Sequence, residues 1–239
     1  MRILIANDDG INAIGIDLLA KALMPYHQVM VIAPATEQSA KSNAMTFFTG
    51  LKMEKINREY EAYQVHGTPG DCIRLGLSIF PDFDLIMTGI NNGFNIGNDI
   101  YYSGTVAAAM EANLHGIKSI AVSTHYNNFE GIEKVLTKTL LDVIDMVNNI
   151  NKVVTLNVNF PKDFDNIKGY RITKAGVFSD ITLAEIKEDG NYHYTTYNFG
   201  YDPNDLDIDY VAQDNGYISI TPLSLDRTDY EIFEQLKSD

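Results

Sequence analysis

The sequence predicts an α/β protein built on a doubly wound, mostly parallel sheet. Three observations carry that expectation. The apolar runs are short and continuous rather than alternating, helix-patterned stretches separate them, and polar loops follow the runs at their carboxyl ends. Residues 2–6, RILIA, form the first run and stop at Asn7-Asp8-Asp9-Gly10. Ile16, Leu19, Ala20 and Leu23 then fall on one side of a helix that Pro25 terminates. Residues 28–33 give the second strand and end at Pro34, so the chain opens as a βαβ unit with a right-handed crossover expected. After a less regular middle, 84–88 is a strand ending at Gly89. Val106, Ala109, Met110 and Leu114 share a helix face that ends near Gly116, and 119–123 is another buried strand. The clearest helix is 130–148, where Ile132, Val135, Leu136, Leu140, Val143, Ile144 and Val147 keep helical spacing. A strand at 153–158 closes this alternation.

From about residue 165 the character changes. Residues 170–222 carry three expected strands separated by Gly, Asn and Asp, with tyrosines at 192, 194, 197, 201, 210 and 217; 177–200 is the expected antiparallel hairpin. Asp205, Asp207 and Asp209 alternate and read as one face of an exposed acidic edge strand. Thr228 to Glu231 reads as a capping box opening a short terminal helix, with Ile232, Phe233 and Leu236 on one side. No internal repeat or linker-like break occurs, so 1–239 reads as one domain whose 165–239 portion is an extension.

Composition narrows the function. The 239 residues hold 18 Lys and Arg against 32 Asp and Glu, a net charge of −14, with an isoelectric point near 4.6. Gripping a nucleic-acid polymer requires clustered Lys and Arg, which this balance opposes. A small phosphorylated substrate held through a cation remains compatible. Cys72 is the only cysteine, which excludes an intramolecular disulfide and a cysteine-based zinc site. Met1 runs directly into a strand-like segment, and no apolar run approaches the roughly 20 residues of a membrane helix. A cytoplasmic protein without membrane contact is expected.

In open parallel sheets, ligands bind beyond the carboxyl ends of the strands. Asn7, Asp8, Asp9, Gly10 and Asn12 follow the first strand; Glu37, Gln38, Ser39, Lys41 and Asn43 follow the second; the run from Gly89 to Asn98 follows the strand at 84–88. Adjacent carboxylates repel unless a positive charge neutralises them, and hard oxygen donors suit Mg²⁺, Mn²⁺ or Ca²⁺. An isolated Asp-Asp-Gly is an ordinary turn; oxygen donors from two further strand ends favour a cation. Ser103 is placed to cap the next helix, whose free N–H groups make an anion site beside that cation. His66 begins the turn His66-Gly67-Thr68-Pro69-Gly70-Asp71, which either lines the cleft or is structural.

Competing motifs are missing. The chain has no G-x-x-x-x-G-K-[ST], G-x-G-x-x-G, G-x-S-x-G or H-E-x-x-H. Asp8-Asp9 lacks the spacing of an Asp-x-Asp phosphatase, and the strand at 84–88 ends in Thr-Gly where a response-regulator receiver needs a phosphoacceptor Asp.

The segments RILIANDDGI, VIAPATEQSA, HGTPGDC, DLIMTGINNGFNIGNDIYYSGTVAAAMEA and GYISITPL together resemble the SurE family of nucleotidases, in order and over nearly the whole chain. The resemblance implies a Rossmann-like, three-layer αβα fold whose C-terminal elements exchange between subunits to make a homodimer or homotetramer. It implies metal-dependent hydrolysis of nucleoside 5′- and 3′-monophosphates, with short polyphosphate as a further substrate. By position it makes Asp8, Asp9, Ser39 and Asn91 the ligands of one divalent metal per subunit, Mg²⁺ or Mn²⁺, with Ca²⁺ able to stand in. Asp8 and Asp9 are then the catalytic pair. Asn95, Ser103, Gly104 and Thr105 surround the phosphate, with Asn12 and Asn43 near by. The chain departs from the family's common residues at Gln38, Ala44, Asn92 and Phe94, positions that bear on substrate preference. A metal-dependent nucleotide sensor without catalysis is the alternative.

Overall fold

The computed structural model describes residues 1–177, 181–197 and 204–238. In chain order the main-sheet strands are β1 (Arg2–Ala6), β2 (Gln28–Pro34), β3 (Met53–Ile56), β4 (Glu61–Val65), β5 (Leu85–Asn92), β6 (Ser119–Thr124), β7 (Thr155–Asn159), β8 (Tyr170–Ile172) and β11 (Ile218–Leu223). A separate two-stranded ribbon pairs β9 (Ile181–Ile186) with β10 (Tyr192–Tyr197). The helices are α1 (Ile14–Leu23), α2 (Pro69–Ile79), α3 (Gly104–Leu114), α4 (Glu133–Asn148), α5 (Asp209–Asp214) and α6 (Tyr230–Lys237).

The nine-stranded sheet has the order β3-β4-β2-β1-β5-β6-β7-β11-β8. Its six inner strands from β4 to β7 run parallel, while β3 and β11 pair antiparallel to their inner neighbours. Continuous apolarity in the inner strands follows from burial on both faces. Ile3, Ile5, Val29, Val31, Leu85 and Met87 face α1 and α4, against Leu19, Leu23, Leu140 and Ile144. Leu4, Ala6, Met30, Ile32 and Ile86 face α2 and α3, against Cys72, Ile73, Ala108 and Ala112. Each large side chain so buried contributes about 1.5–3 kcal/mol. The sheet thus lies between two helical layers, as the sequence predicts.

The irregular middle resolves into β3, β4 and α2. Thr68 and Asp71 form a reciprocal capping box, with Asp71 N donating to Thr68 Oγ1 at 3.2 Å and Thr68 N donating to Asp71 Oδ2 at 2.9 Å. The turn after His66 is therefore a helix start and structural. Asp71 also accepts from Thr46 N at 3.0 Å and Thr46 Oγ1 at 2.7 Å, which anchors the long loop after β2.

The last third departs most from expectation. Among the described residues of 170–223 there are four strands, not three, and β8 and β11 join the main sheet. The expected hairpin is present at β9–β10, inside the 177–200 range; residues 178–180, 198–200 and Tyr201 lie outside the described residues. The acidic edge strand at 205–209 is absent. Asp205 Oδ1 instead accepts from Asp207 N at 3.1 Å, a local turn that competes with strand pairing, and Asp209 opens α5.

Asp209 is fully buried. Its Oδ2 accepts from Gly97 N at 2.8 Å, and its Oδ1 accepts from Gly176 N at 3.1 Å and Tyr210 N at 2.9 Å. One carboxylate thereby fixes three backbone segments. Asp209→Asn turns an amide N–H onto one of those N–H donors, and a loss of about 1–3 kcal/mol in urea unfolding is expected. Parental stability in that variant would refute the anchor.

The terminal helix is capped by Asp229, whose Oδ1 accepts from Ile232 N at 3.1 Å, rather than by Thr228. Thr228 N is engaged instead, donating to Asp226 Oδ1 at 2.9 Å. Among the described residues no helix is long and apolar enough to cross a membrane.

Candidate active site

From β1 the chain crosses to β2 on one side, while β5 lies on the other, so the carboxyl ends of β1 and β5 form the switch point of the sheet. Beyond β1 the turn closes through Asn7 Nδ2 donating to Gly10 O at 2.9 Å, with Gly10 at a φ of +95° that suits glycine. Asp8 and Asp9 project from this turn. β5 stays in register with β1 through Thr88, then shifts register against β6 between Thr88 and Asn91. Gly89 lies inside the shift, where a Cβ would stand 2.2 Å from Val122 O. Such an irregularity re-aims the following side chains.

Asp8, Asn91 and Thr105 meet at one point. Thr105 Oγ1 donates to Asp8 Oδ1 at 2.5 Å and lies 3.4 Å from Asn91 Oδ1. Thr105 is held in turn by Thr88 Oγ1, which donates to Thr105 O at 2.8 Å. Asp9 Oδ2 accepts from Asn92 N at 3.0 Å. The loop after β2 is clamped to the same turn by Gln38 N donating to Asp8 O at 2.7 Å. Ser39 Oγ in this loop donates to Glu37 Oε1 at 2.7 Å. A cavity of about 330 Å³ is lined by polar Asp9, Glu37, Ser39 and Asn92 and by apolar Ile14, Tyr126 and Phe129.

Ser103 caps α3 as expected, its Oγ accepting from Val106 N at 3.0 Å. The helix start differs from expectation in one respect. Instead of opening outward, the N–H groups of Gly104 and Thr105 bear on the Asp8 carboxylate. The positive end of the helix therefore stabilises an acidic side chain already in place. Asn95 is buried, with its Nδ2 donating to Ser123 Oγ at 2.8 Å and its O accepting from Asn157 Nδ2 at 2.6 Å. Asn12 Oδ1 accepts from Arg58 Nη2 at 2.6 Å, and Asn43 lines a second cavity of about 260 Å³ with Gly97, Ile100 and Tyr101, beside the start of α3.

Charge at the site is under strain. Burial pushes the Asp8 carboxyl above its ordinary value, although the Thr105 hydroxyl and the amides of Gly104 and Thr105 pull the other way. Burial first, then the Asp8 charge, raise Asp9 to about 6, and Glu37 adds to the rise. Among the described residues no three His, Cys, Asp or Glu side chains gather as a metal cluster. The donors here are two carboxylates, an amide oxygen and a hydroxyl, a set that fits a hard divalent cation, and the raised carboxylates are what such a cation would relieve.

The stability consequence has a definite sign. A carboxyl whose folded value exceeds its unfolded value binds more protons in the folded state between the two values. Its contribution therefore falls as pH rises from 3.8 to about 6. Metal-free protein is expected to lose stability across that window more steeply than Asp9→Asn, and saturating Mn²⁺ is expected to remove the difference. Thermal melts of both proteins at several pH values, with and without Mn²⁺, measure it.

Glu37, Ile14, Tyr126 and Phe129 are cavity residues that sequence reasoning did not assign to the site. Glu37 carried the only available signal, its position two residues before Ser39 in a strand-end loop.

The family model described as "Survival protein SurE" matches residues 3–180. The chain belongs to the SurE family. Among curated relatives, the 5′-nucleotidase SurE of Petrotoga mobilis is 40% identical over 100% of this chain and 98% of its own length. The 5′-nucleotidase SurE of a Clostridium botulinum strain is 37% identical over 98% and 97%. The crystal structure of the SurE protein from Aquifex aeolicus superposes with a TM-score of 0.83 at 34% identity, covering 100% of this chain and 99% of that one. The SurE match spans β1 to β8 and every residue that the sequence nominated for the site.

Proposed function

We propose that this SurE-family chain hydrolyses nucleoside 5′-monophosphates to nucleoside and phosphate, using one divalent cation per subunit. The observation that carries the reading is the meeting of Asp8, Asn91 and Thr105 at the switch point, with Asp9 one residue away and raised to about 6. The names of the full-length relatives support the substrate class. Mg²⁺ or Mn²⁺ would be held by Asp8, Asp9, Asn91 and Ser39, and Ca²⁺ suits the same oxygens. When bound, the cation supplies positive charge against the charge that develops on the phosphoryl oxygens.

The chain's own groups do the rest. Thr105 keeps the Asp8 carboxylate oriented, and Asn92 N does so for Asp9. Asp8 takes the second catalytic role, as nucleophile or as proton carrier. Asn95, Ser103 and the start of α3, whose Gly104 and Thr105 N–H groups already hold the Asp8 carboxylate, would surround the phosphoryl group beside Asp8 for in-line displacement. Nucleoside 3′-monophosphates and short polyphosphate present the same phosphoryl group and are further substrates in this reading. Phosphate release from AMP, measured with and without chelator, tests it. Mg²⁺- or Mn²⁺-dependent release is expected. Binding of AMP without release would make the chain a sensor and overturn the proposal.

Assembly through C-terminal elements belongs to the same reading. Ile186, Tyr192 and Tyr194 on the ribbon, and Ile232, Phe233 and Leu236 on α6, are exposed apolar residues suited to a second copy of the chain. Removal of residues 226–239 leaves β11 intact, and light scattering is expected to report a smaller assembly than the full chain. A cytoplasmic site of action fits the single, buried Cys72.

A further inference from the structure

Tyr126 stands in the loop between β6 and α4 and is 66% exposed, yet its loop is fixed. Asn127 N donates to Asn92 Oδ1 at 2.6 Å, and Asn92 Nδ2 donates to Asn127 Oδ1 at 3.1 Å. Asn127 adopts a left-handed φ of +53°, which asparagine tolerates better than most residues. The same Asn92 donates its backbone N–H to Asp9 Oδ2. A two-amide clasp thus ties the neighbour of Tyr126 to the residue that holds the Asp9 carboxylate. Phe129, from the same loop, is partly buried against the core behind it.

The cavity that results brings polar Asp9, Glu37 and Ser39 together with apolar Ile14, Tyr126 and Phe129 in one lining. A nucleoside monophosphate needs both kinds of surface, polar groups for its phosphate and an apolar face for its flat, weakly polar base. We infer that Tyr126, backed by Ile14 and Phe129, is the platform on which the substrate's nucleobase stacks while the phosphate lies beside Asp9. The inference rests on the phosphatase reading and deepens it. Every base has a π-face, so stacking recognises a base without selecting one strongly. Among the described residues lining the cavity, Asp9 and Glu37 are the charged ones, and both are acidic. Baseless sugar phosphates, which offer no π-face to the ring, are therefore poor substrates.

The test compares AMP with ribose 5-phosphate in the Mn²⁺-loaded, full-length protein. Tyr126→Ala is expected to raise KM for AMP roughly 5- to 100-fold, the range that loss of one base–aromatic stack produces, with kcat near parental. KM for ribose 5-phosphate is expected to stay unchanged, and Tyr126→Phe to behave as parent on both. Asn127→Ala, which opens the clasp and leaves the ring, is expected to raise KM for AMP alone. Equal losses on the two substrates, or no loss on either, would overturn the platform. A parent protein that hydrolyses neither substrate overturns the phosphatase reading, and the platform falls with it.

Discussion

Asp9→Asn is expected to lower phosphate release from AMP by about 100-fold or more, the usual cost of removing a group that stabilises developing charge. That loss corresponds to about 2.7 kcal/mol of barrier. The amide keeps an oxygen that can accept from Asn92 N, so the turn after β1 survives the change. Stability is expected to move the other way in metal-free protein. Asp9 is raised to about 6 by burial and by Asp8, so removing its charge relieves repulsion at neutral pH. Lower turnover and weaker Mn²⁺ binding, together with an unchanged or higher melting temperature without metal, form a signature that general misfolding does not produce. Near-parental phosphate release from the variant would remove Asp9 from the chemistry.

Gly104→Ala is expected to be nearly as damaging without removing any charged group. A Cβ at this position would stand 2.8 Å from Asp8 Cβ and 2.9 Å from Asp8 Oδ2. Ordinarily alanine favours a helix over glycine. Here the crowding outweighs propensity, because Asp8 is held against the start of α3 by the Thr105 hydroxyl and cannot retreat without losing it. Overpacking of this kind costs about 1–3 kcal/mol, and a carboxylate displaced by about 1 Å can lose about 100-fold in rate. Gly50, whose added Cβ meets nothing within 4 Å, is the control, and Gly50→Ala is expected to match parent in both activity and urea midpoint. Parental turnover in Gly104→Ala would show that the spacing of Asp8 from the helix does not matter.

What the sequence disclosed follows the strength of its patterning. The inner strands are buried on both faces and read as unbroken apolar runs, and α4 repeats its apolar residues over sixteen positions. Both signals are long or dense enough to stand alone. β3 and β4 are hard to read because β3 is the edge strand and β4 its neighbour, both short and largely half-buried, with charged residues such as Glu54, Lys55 and Glu61 interleaved. Asp209 misled because alternating aspartates have a strand's period, while its true partners, Gly97 and Gly176, are distant in sequence. At the site, side chains next to strand ends were found, since chain order alone delivers Asp8, Asp9 and Asn91 to neighbouring strands. Tyr126 and Asn12 show the converse. Their places depend on hydrogen bonds between loops, from Asn127 to Asn92 and from Arg58 to Asn12, and no local pattern records those.

The Asp209 contact also orders events during synthesis. Gly97 precedes its anchor by 112 residues. At roughly 5–20 residues per second, a ribosome completes Gly97, with Asp8, Asp9 and Asn91 already made, roughly 6–22 s before the carboxylate that tethers it exists. A nascent chain therefore carries the acidic pair well before the turn leading to Ser103 is secured. Messages cut short before codon 209 should yield polypeptides that have the parallel strands and still lack the tether on Gly97.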